Sequence, residues 1–298
     1  MTRFRDLIEL VRAPAALTVP GDSLAGAAVA GWPFGARTPA LAVSSCCLYW
    51  AGMALNDYAD RELDRTERPE RPIPSGRVAP GLALAVATGL TAAGLGLAGL
   101  AGGRRALAVA VPLAGMVWAY DLTLKSTLAG PPAMAACRSL DVLLGAGAGR
   151  LRQAAPAALA VGTHALAVTV VSRGEVTGGS PAVVGAALAG TATAAAGAGL
   201  AASRAARHRP APPGWRPVQA AAAAALLAGY AATVGRAQLA AARTPQPGPV
   251  RRAVGAGILG TIPLQAALAA GAGALRAAVP IAAGFPLARR LARRVSPT

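Results

Sequence analysis

The sequence predicts an all-α polytopic membrane protein, a bundle of nine or ten transmembrane helices around a central cavity. Three observations lead there. Of the 298 residues 54% are hydrophobic and only 14% are charged. Runs of Ala, Leu, Val and Gly long enough for a hydrocarbon core, which takes roughly 20 apolar residues per helix, recur from Pro14 to the C-terminus. The alternation that marks strands is almost absent. One membrane domain over residues 1–298 accounts for the pattern.

Taken in order, the apolar runs place spans at 14–31, 38–60, 80–101, 104–121, 131–149, 154–172, 180–202, 214–236 and 251–271, with a short proline-broken one at 275–291. The first run follows Asp6 and Glu9 and leads into further spans, so it reads as a retained helix rather than a cleaved leader. The Ala- and Gly-rich run 181–202 is weakly hydrophobic and suits the bundle interior, where small side chains allow close packing. With the N-terminus cytoplasmic, most basic residues fall in the inside gaps and ends. One gap breaks the rule, because Arg204, Arg207, Arg209 and Arg216 then fall outside.

The formal charge of +17 is dispersed through gaps and termini. No basic domain exists to hold a duplex, so nucleic acid is excluded in favour of anionic lipids and diphosphates. Three cysteines, two of them the adjacent Cys46 and Cys47, offer neither a disulfide framework nor metal spacing. Trp32, Trp50, Trp118 and Trp215 read as interface anchors. The Ala and Arg bias fits a GC-rich bacterial genome.

The acids are not dispersed. Asp57, Asp60, Glu62, Asp64, Glu67 and Glu70, half of the twelve, follow directly on the second span. Continued as a helix, the segment would point Asn56, Asp57, Asp60 and Asp64 toward one side. Clustered carboxylates repel unless cations join them, and oxygen ligands without His or Cys favour a hard cation such as Mg2+. The arginines and prolines that follow, from Arg65 to Arg77, supply forked phosphate donors on a stiffened loop. A solvated loop of self-paired charges is the bland alternative.

The string from Asn56 to Val78, NDYADRELDRTERPERPIPSGRV, closely resembles the first signature of the UbiA prenyltransferase superfamily, NDxxDxxxD followed by RPxxSG. The resemblance implies that Asn56, Asp60 and Asp64 bind Mg2+ and diphosphate, with Asp57 beside them, and that Arg68 and Arg71 contact phosphate. It implies Tyr120 and Lys125 as a further pair, although Tyr-x-x-x-Lys is the usual spacing and this chain has one residue more. Lys125 is the only lysine in the chain. The family's second acidic motif, DxxxD, is missing; its place holds Ser172, Arg173, Gly174, Glu175 and Val176, so Glu175 is the candidate metal ligand there and Arg173 a substrate contact.

The implied reaction is transfer of an isoprenyl group from an isoprenyl diphosphate to a lipophilic or aromatic acceptor, in the cell membrane with the active-site loops cytoplasmic. A non-catalytic lipid-binding or transport protein on the same fold is the rival. Arg138 and Asp141, one turn apart inside a span, read as an ion pair or as the acceptor end of the cavity. His164, alone in an apolar helix, reads as a satisfied bundle residue.

Overall fold

Proline opens the short helix that starts at Pro20 and half of the long helices, in the first turn where no backbone donor is required. The computed structural model describes residues 3–31, 35–208 and 214–292. In chain order they form α1 (Phe4–Leu10), α2 (Pro20–Val29), α3 (Arg37–Ala59), α4 (Arg61–Glu67), α5 (Pro80–Ala119), α6 (Gly130–Ala146), α7 (Leu151–Ser172), α8 (Pro181–Arg207), α9 (Trp215–Arg243), α10 (Pro247–Gly271) and α11 (Leu275–Ala292). No strand occurs among the described residues.

The continuous helical stretch Pro80–Leu124 is 45 residues long. At 1.5 Å per residue that is more than twice the roughly 30 Å of a hydrocarbon core, so it has to turn back. It does so at Gly103, whose φ of 61° and ψ of −151° are open to glycine alone. The two expected spans 80–101 and 104–121 are the two limbs.

The expected span 14–31 is not one helix. A 3₁₀ segment, Ala13–Thr18, precedes a ten-residue α2. Pro20, which lacks a donor, separates them. Helices α8 and α9 run to Arg207 and Arg243, several residues past the expected ends at 202 and 236. Arginine marks where water begins, while the helix itself continues into it. Trp50 lies within α3 rather than at its end, and Trp32 lies outside the described residues.

Helix α10 is the centre of the bundle, with 72% of its most apolar window buried against 22% for α5 and for α9. Small residues let the neighbours close in. Gly26 of α2 lies against the Val142 carbonyl of α6, and Gly145 of α6 lies against the Ser23 backbone of α2, so a Cβ at either position would clash with backbone. That contact seats the short α2 deep in the bundle, where Asp22 is fully buried. His164 is satisfied as expected, with Nδ1 2.9 Å from the Tyr230 hydroxyl and Nε2 3.0 Å from the Gly257 carbonyl. The cysteines are free.

Candidate active site

Helix α3 ends at Ala59, and Asp60 caps it with φ −87° and ψ 2° before α4 starts at Arg61. The expectation of one continued helix is therefore corrected: α3 and α4 are two helices joined at Asp60, and the four groups take different but partly shared partners. Asn56 Nδ2 donates to Asp121 Oδ1 at 3.2 Å. Asp57 Oδ1 accepts from Arg12 at 3.1 Å and lies 3.5 Å from Arg71. Arg71 Nη1 stands 2.6 Å from Asp64 Oδ2, and Lys125 Nζ stands 2.6 Å from Asp60 Oδ1.

Arg71 can bridge two acids because its loop is fixed. The Ser75 amide and hydroxyl both donate to the Arg71 carbonyl, the Val78 amide donates to the Pro72 carbonyl, and Gly76 takes φ 73° to close the turn. Beyond it Arg77 ties the loop to α1, with Nη1 3.0 Å from Asp6 and 2.6 Å from Glu9. The Asp6 carboxyl is held below its usual range by the Arg3 backbone amide first, then by Arg77; Glu9 is held down chiefly by Arg77.

The extra residue between Tyr120 and Lys125 has a structural account. Residues Tyr120–Leu124 form a widened π-turn in which the Lys125 amide donates to the Tyr120 carbonyl at 2.9 Å. Such a turn absorbs one inserted residue, and it brings Lys125 to Asp60 in spite of the longer spacing.

A cavity of about 450 Å³ opens among these groups. At its polar end it is lined by Arg12, Asn56, Arg68, Arg71, Asp121 and Glu175, with Tyr120 alongside. Asp57, Asp60, Asp64 and Lys125 are not on that wall; Asp57 and Asp64 are held by Arg71, which is. The middle is apolar, built from Leu48, Met53, Leu113, Val117, Val168 and Ile258. Arg173 is also off the wall: its guanidinium donates to the Thr127 carbonyl and braces the turn after Lys125.

Glu175 lines the cavity with Oε1 buried and without a hydrogen-bond partner, and burial raises its pKa against the opposing pull of Arg68 and Arg251. Among the described residues no three His, Cys or acidic side chains gather into a metal cage. The donor set nonetheless fits magnesium, which takes one or two carboxylates and completes its shell with water and phosphate oxygens.

At the far end Arg138 and Asp141 both line the cavity, but they do not pair with each other. Arg138 Nε stands 2.9 Å from Asp22 Oδ2, while Asp141 Oδ2 accepts from the Ser45 hydroxyl at 2.7 Å. Gln265 Nε2 donates to Asp22 Oδ1 at 2.6 Å. Asp22 and Arg12 complete these networks and were not singled out for function by sequence, whereas Asp121 falls in the sequence cluster with Tyr120 and Lys125. A carboxylate inside the first apolar run was the available signal for Asp22. Arg12 offered none, because its partner is 45 positions away.

The family described as the UbiA prenyltransferase family matches residues 18–174, more than half of the chain and all of the groups above except Arg3, Asp6, Glu9, Arg12 and those from Glu175 onward. The chain belongs to the UbiA prenyltransferase family. Digeranylgeranylglyceryl phosphate synthase from Methanothrix thermoacetophila is 42% identical over 96 residues, which are 32% of this chain and 36% of that one. The protein of that name from Methanopyrus kandleri is 40% identical over 129 residues, covering 41% of this chain and 45% of its own. The matches thus span less than half the length of these relatives. Both relatives are archaeal and lend no support to the bacterial origin read from composition.

Two solved structures share the fold. One, described as giving structural and mechanistic insights into digeranylgeranylglyceryl phosphate synthase in membranes, has a TM-score of 0.65 and 17% identity, covering 91% of this chain and 98% of that one. The other, an apo UbiA homolog from Aeropyrum pernix, has a TM-score of 0.65 and 18% identity, covering 85% and 96%.

Proposed function

We propose that this UbiA-family chain is a membrane prenyltransferase that moves an isoprenyl group from an allylic diphosphate to a lipophilic acceptor, assisted by Mg2+. One observation carries the reading. A single cavity joins an end rich in arginine and carboxylate to an apolar middle and a second polar end. A diphosphate, a hydrocarbon tail and an acceptor head suit those three zones in turn.

Arg68 and Arg71 offer forked donors to the diphosphate oxygens, and Lys125 adds a point charge behind them. Asn56, Asp60 and Asp64, with Glu175, are the groups proposed to hold the metal, which would neutralise the leaving pyrophosphate. The allylic carbon–oxygen bond breaks, pyrophosphate departs into this cationic cradle, and the acceptor's nucleophile bonds to the freed carbon as its proton passes to the departing pyrophosphate. The apolar wall keeps water from the carbocation. Fixed charges aimed at the departing anion supply most of the rate.

For the acceptor, the relatives' name specifies a glyceryl phosphate bearing geranylgeranyl groups, so a prenylated glyceryl phosphate is the first acceptor to test. The deciding experiment is Mg2+-dependent pyrophosphate release from geranyl, farnesyl and geranylgeranyl diphosphates by the protein in lipid, with and without that acceptor and with Asp64→Ala as control. Release that needs both Mg2+ and Asp64 supports the proposal. Binding of the diphosphates with no release under any acceptor would favour the non-catalytic lipid-binding reading.

A further inference from the structure

The end of the bundle away from the candidate site carries a charge pattern that the prenyl-transfer chemistry does not use. α7 reaches the candidate site with its C-terminus, at Ser172 and Glu175; its N-terminus, at Leu151, therefore marks the opposite end. There the C-terminal ends of α2 and α8 meet the start of α7 and enclose a second cavity of about 540 Å³. Arg150, Arg152, Arg204 and His208 line it together with Gln153, and no acidic side chain does.

Two features separate this cavity from an ordinary basic rim. First, its arginines are unevenly engaged. Arg150 Nη1 donates to the Ala30 and Gly31 carbonyls at 2.9 and 2.7 Å, which cap the end of α2 and fix that guanidinium in place. Arg152 and Arg204 have neither an ion pair nor a side-chain hydrogen bond among the described residues. Second, the whole of this end lacks carboxylates: ten of the twelve acids lie at or near the candidate site, and the other two, Asp22 and Asp141, are in the bundle interior. No acidic side chain among the described residues lines the cavity; the carbonyls that end α2 meet Arg150 and leave Arg152 and Arg204 without a counter-charge. Like charges around a shared space of this size repel unless an anion joins them.

We propose that this second cavity is a binding site for a phosphate group. Planar guanidinium forks suit a tetrahedral oxyanion, and basic pockets between transmembrane helices take anionic headgroups. The site also gives a reason for Arg204, one of the four arginines that run against the positive-inside rule. The phosphate comes either from an anionic lipid headgroup at that membrane surface or from a free anion. The inference does not depend on the prenyltransferase reading, because the two cavities share no residue.

The test uses the full chain, delipidated in neutral detergent, with phosphatidylglycerol and inorganic phosphate as the two probes. Bound phosphatidylglycerol is counted by native mass spectrometry, and phosphate by the rise it causes in unfolding temperature. The variants are the double substitution Arg152→Gln/Arg204→Gln and, as a control at the same end but outside the cavity, Arg216→Gln. These three side chains are exposed, so folding is expected to survive. The double variant is expected to bind the effective probe roughly tenfold or more weakly, and Arg216→Gln to bind as the parent does. Binding of phosphatidylglycerol that inorganic phosphate does not displace identifies a lipid headgroup; stabilisation by inorganic phosphate alone identifies a free anion. The proposal is overturned if neither probe binds, if the double variant binds as the parent does, or if Arg216→Gln weakens binding equally.

Discussion

The lone lysine of the chain, Lys125, places its ammonium 2.6 Å from the carboxylate of Asp60, across 65 residues of sequence. Both side chains remain about a quarter exposed, so the pair is accessible to an incoming diphosphate and can exchange partners with it. Lys125→Ala is expected to lower Mg2+-dependent pyrophosphate release by roughly 100-fold, the scale on which loss of one preorganised charge at a departing anion acts. Asp60→Ala and Asp64→Ala are expected to abolish it. Unchanged turnover in any of the three, measured in lipid, would remove that residue from the site.

Arg71 bridges Asp57 and Asp64 with its side chain only 12% exposed. Arg71→Ala leaves Asp64 buried without a cation, whereas Asp57 keeps Arg12. Breaking a buried pair in this way costs about 3 kcal/mol, visible as a lower unfolding temperature in nanodiscs. Added Mg2+ should recover part of that loss in the variant and raise the parent less, since the parent's acids are already matched. Equal responses would argue against a cation-competent cluster.

Asp6 and Glu9 both bind Arg77, and both have lowered pKa values from ordinary ones of 3.8 and 4.5. A carboxyl with a folded value below its unfolded one stabilises the fold above the ordinary range and loses that contribution as pH falls through and below it. The clamp of α1 on the loop is therefore intact at neutral pH and released below about pH 4. The protection of the α1 amides, taken relative to the intrinsic exchange rate at each pH, should fall in that window, and Arg77→Gln should show the low protection already at pH 7. Protection that does not change with pH in the parent would show that Arg77 does not hold α1.

The hinge in α5 makes a stability prediction. Gly103→Ala puts a Cβ on a backbone conformation open to glycine alone, at a cost of about 1–3 kcal/mol. Thermal unfolding checks it; a neutral result would mean that the limbs can turn back through another residue.

How much of this was legible in sequence follows from range. Local signals served well: the motif from Asn56 to Val78 located one pole of the site, and the proline and glycine punctuation located most helices. Long-range pairings left no trace. Arg12 with Asp57, Arg138 with Asp22 and Arg77 with Glu9 join segments that only the fold brings together. A helical wheel drawn through Asp60 could not register the junction between α3 and α4. The odd spacing from Tyr120 to Lys125 was visible in sequence, but the π-turn that resolves it is a backbone choice that the spacing does not announce.

Glu175 tests whether the missing second acidic motif has been replaced. Its carboxylate lines the candidate cavity with Oε1 buried and unpartnered, whereas the adjacent Arg173 is spent on the Thr127 carbonyl. If Glu175 completes a metal site, Glu175→Gln should raise the Mg2+ concentration for half-maximal pyrophosphate release several-fold and leave the diphosphate KM at saturating Mg2+ nearly unchanged, because one of a small number of oxygen ligands loses its charge. Arg173→Gln should leave the Mg2+ dependence as it is. If both variants keep the parent's Mg2+ curve, metal binding rests on the Asn56–Asp64 segment alone. If Arg173→Gln shifts the curve instead, the turn after Lys125 is what the missing motif controlled.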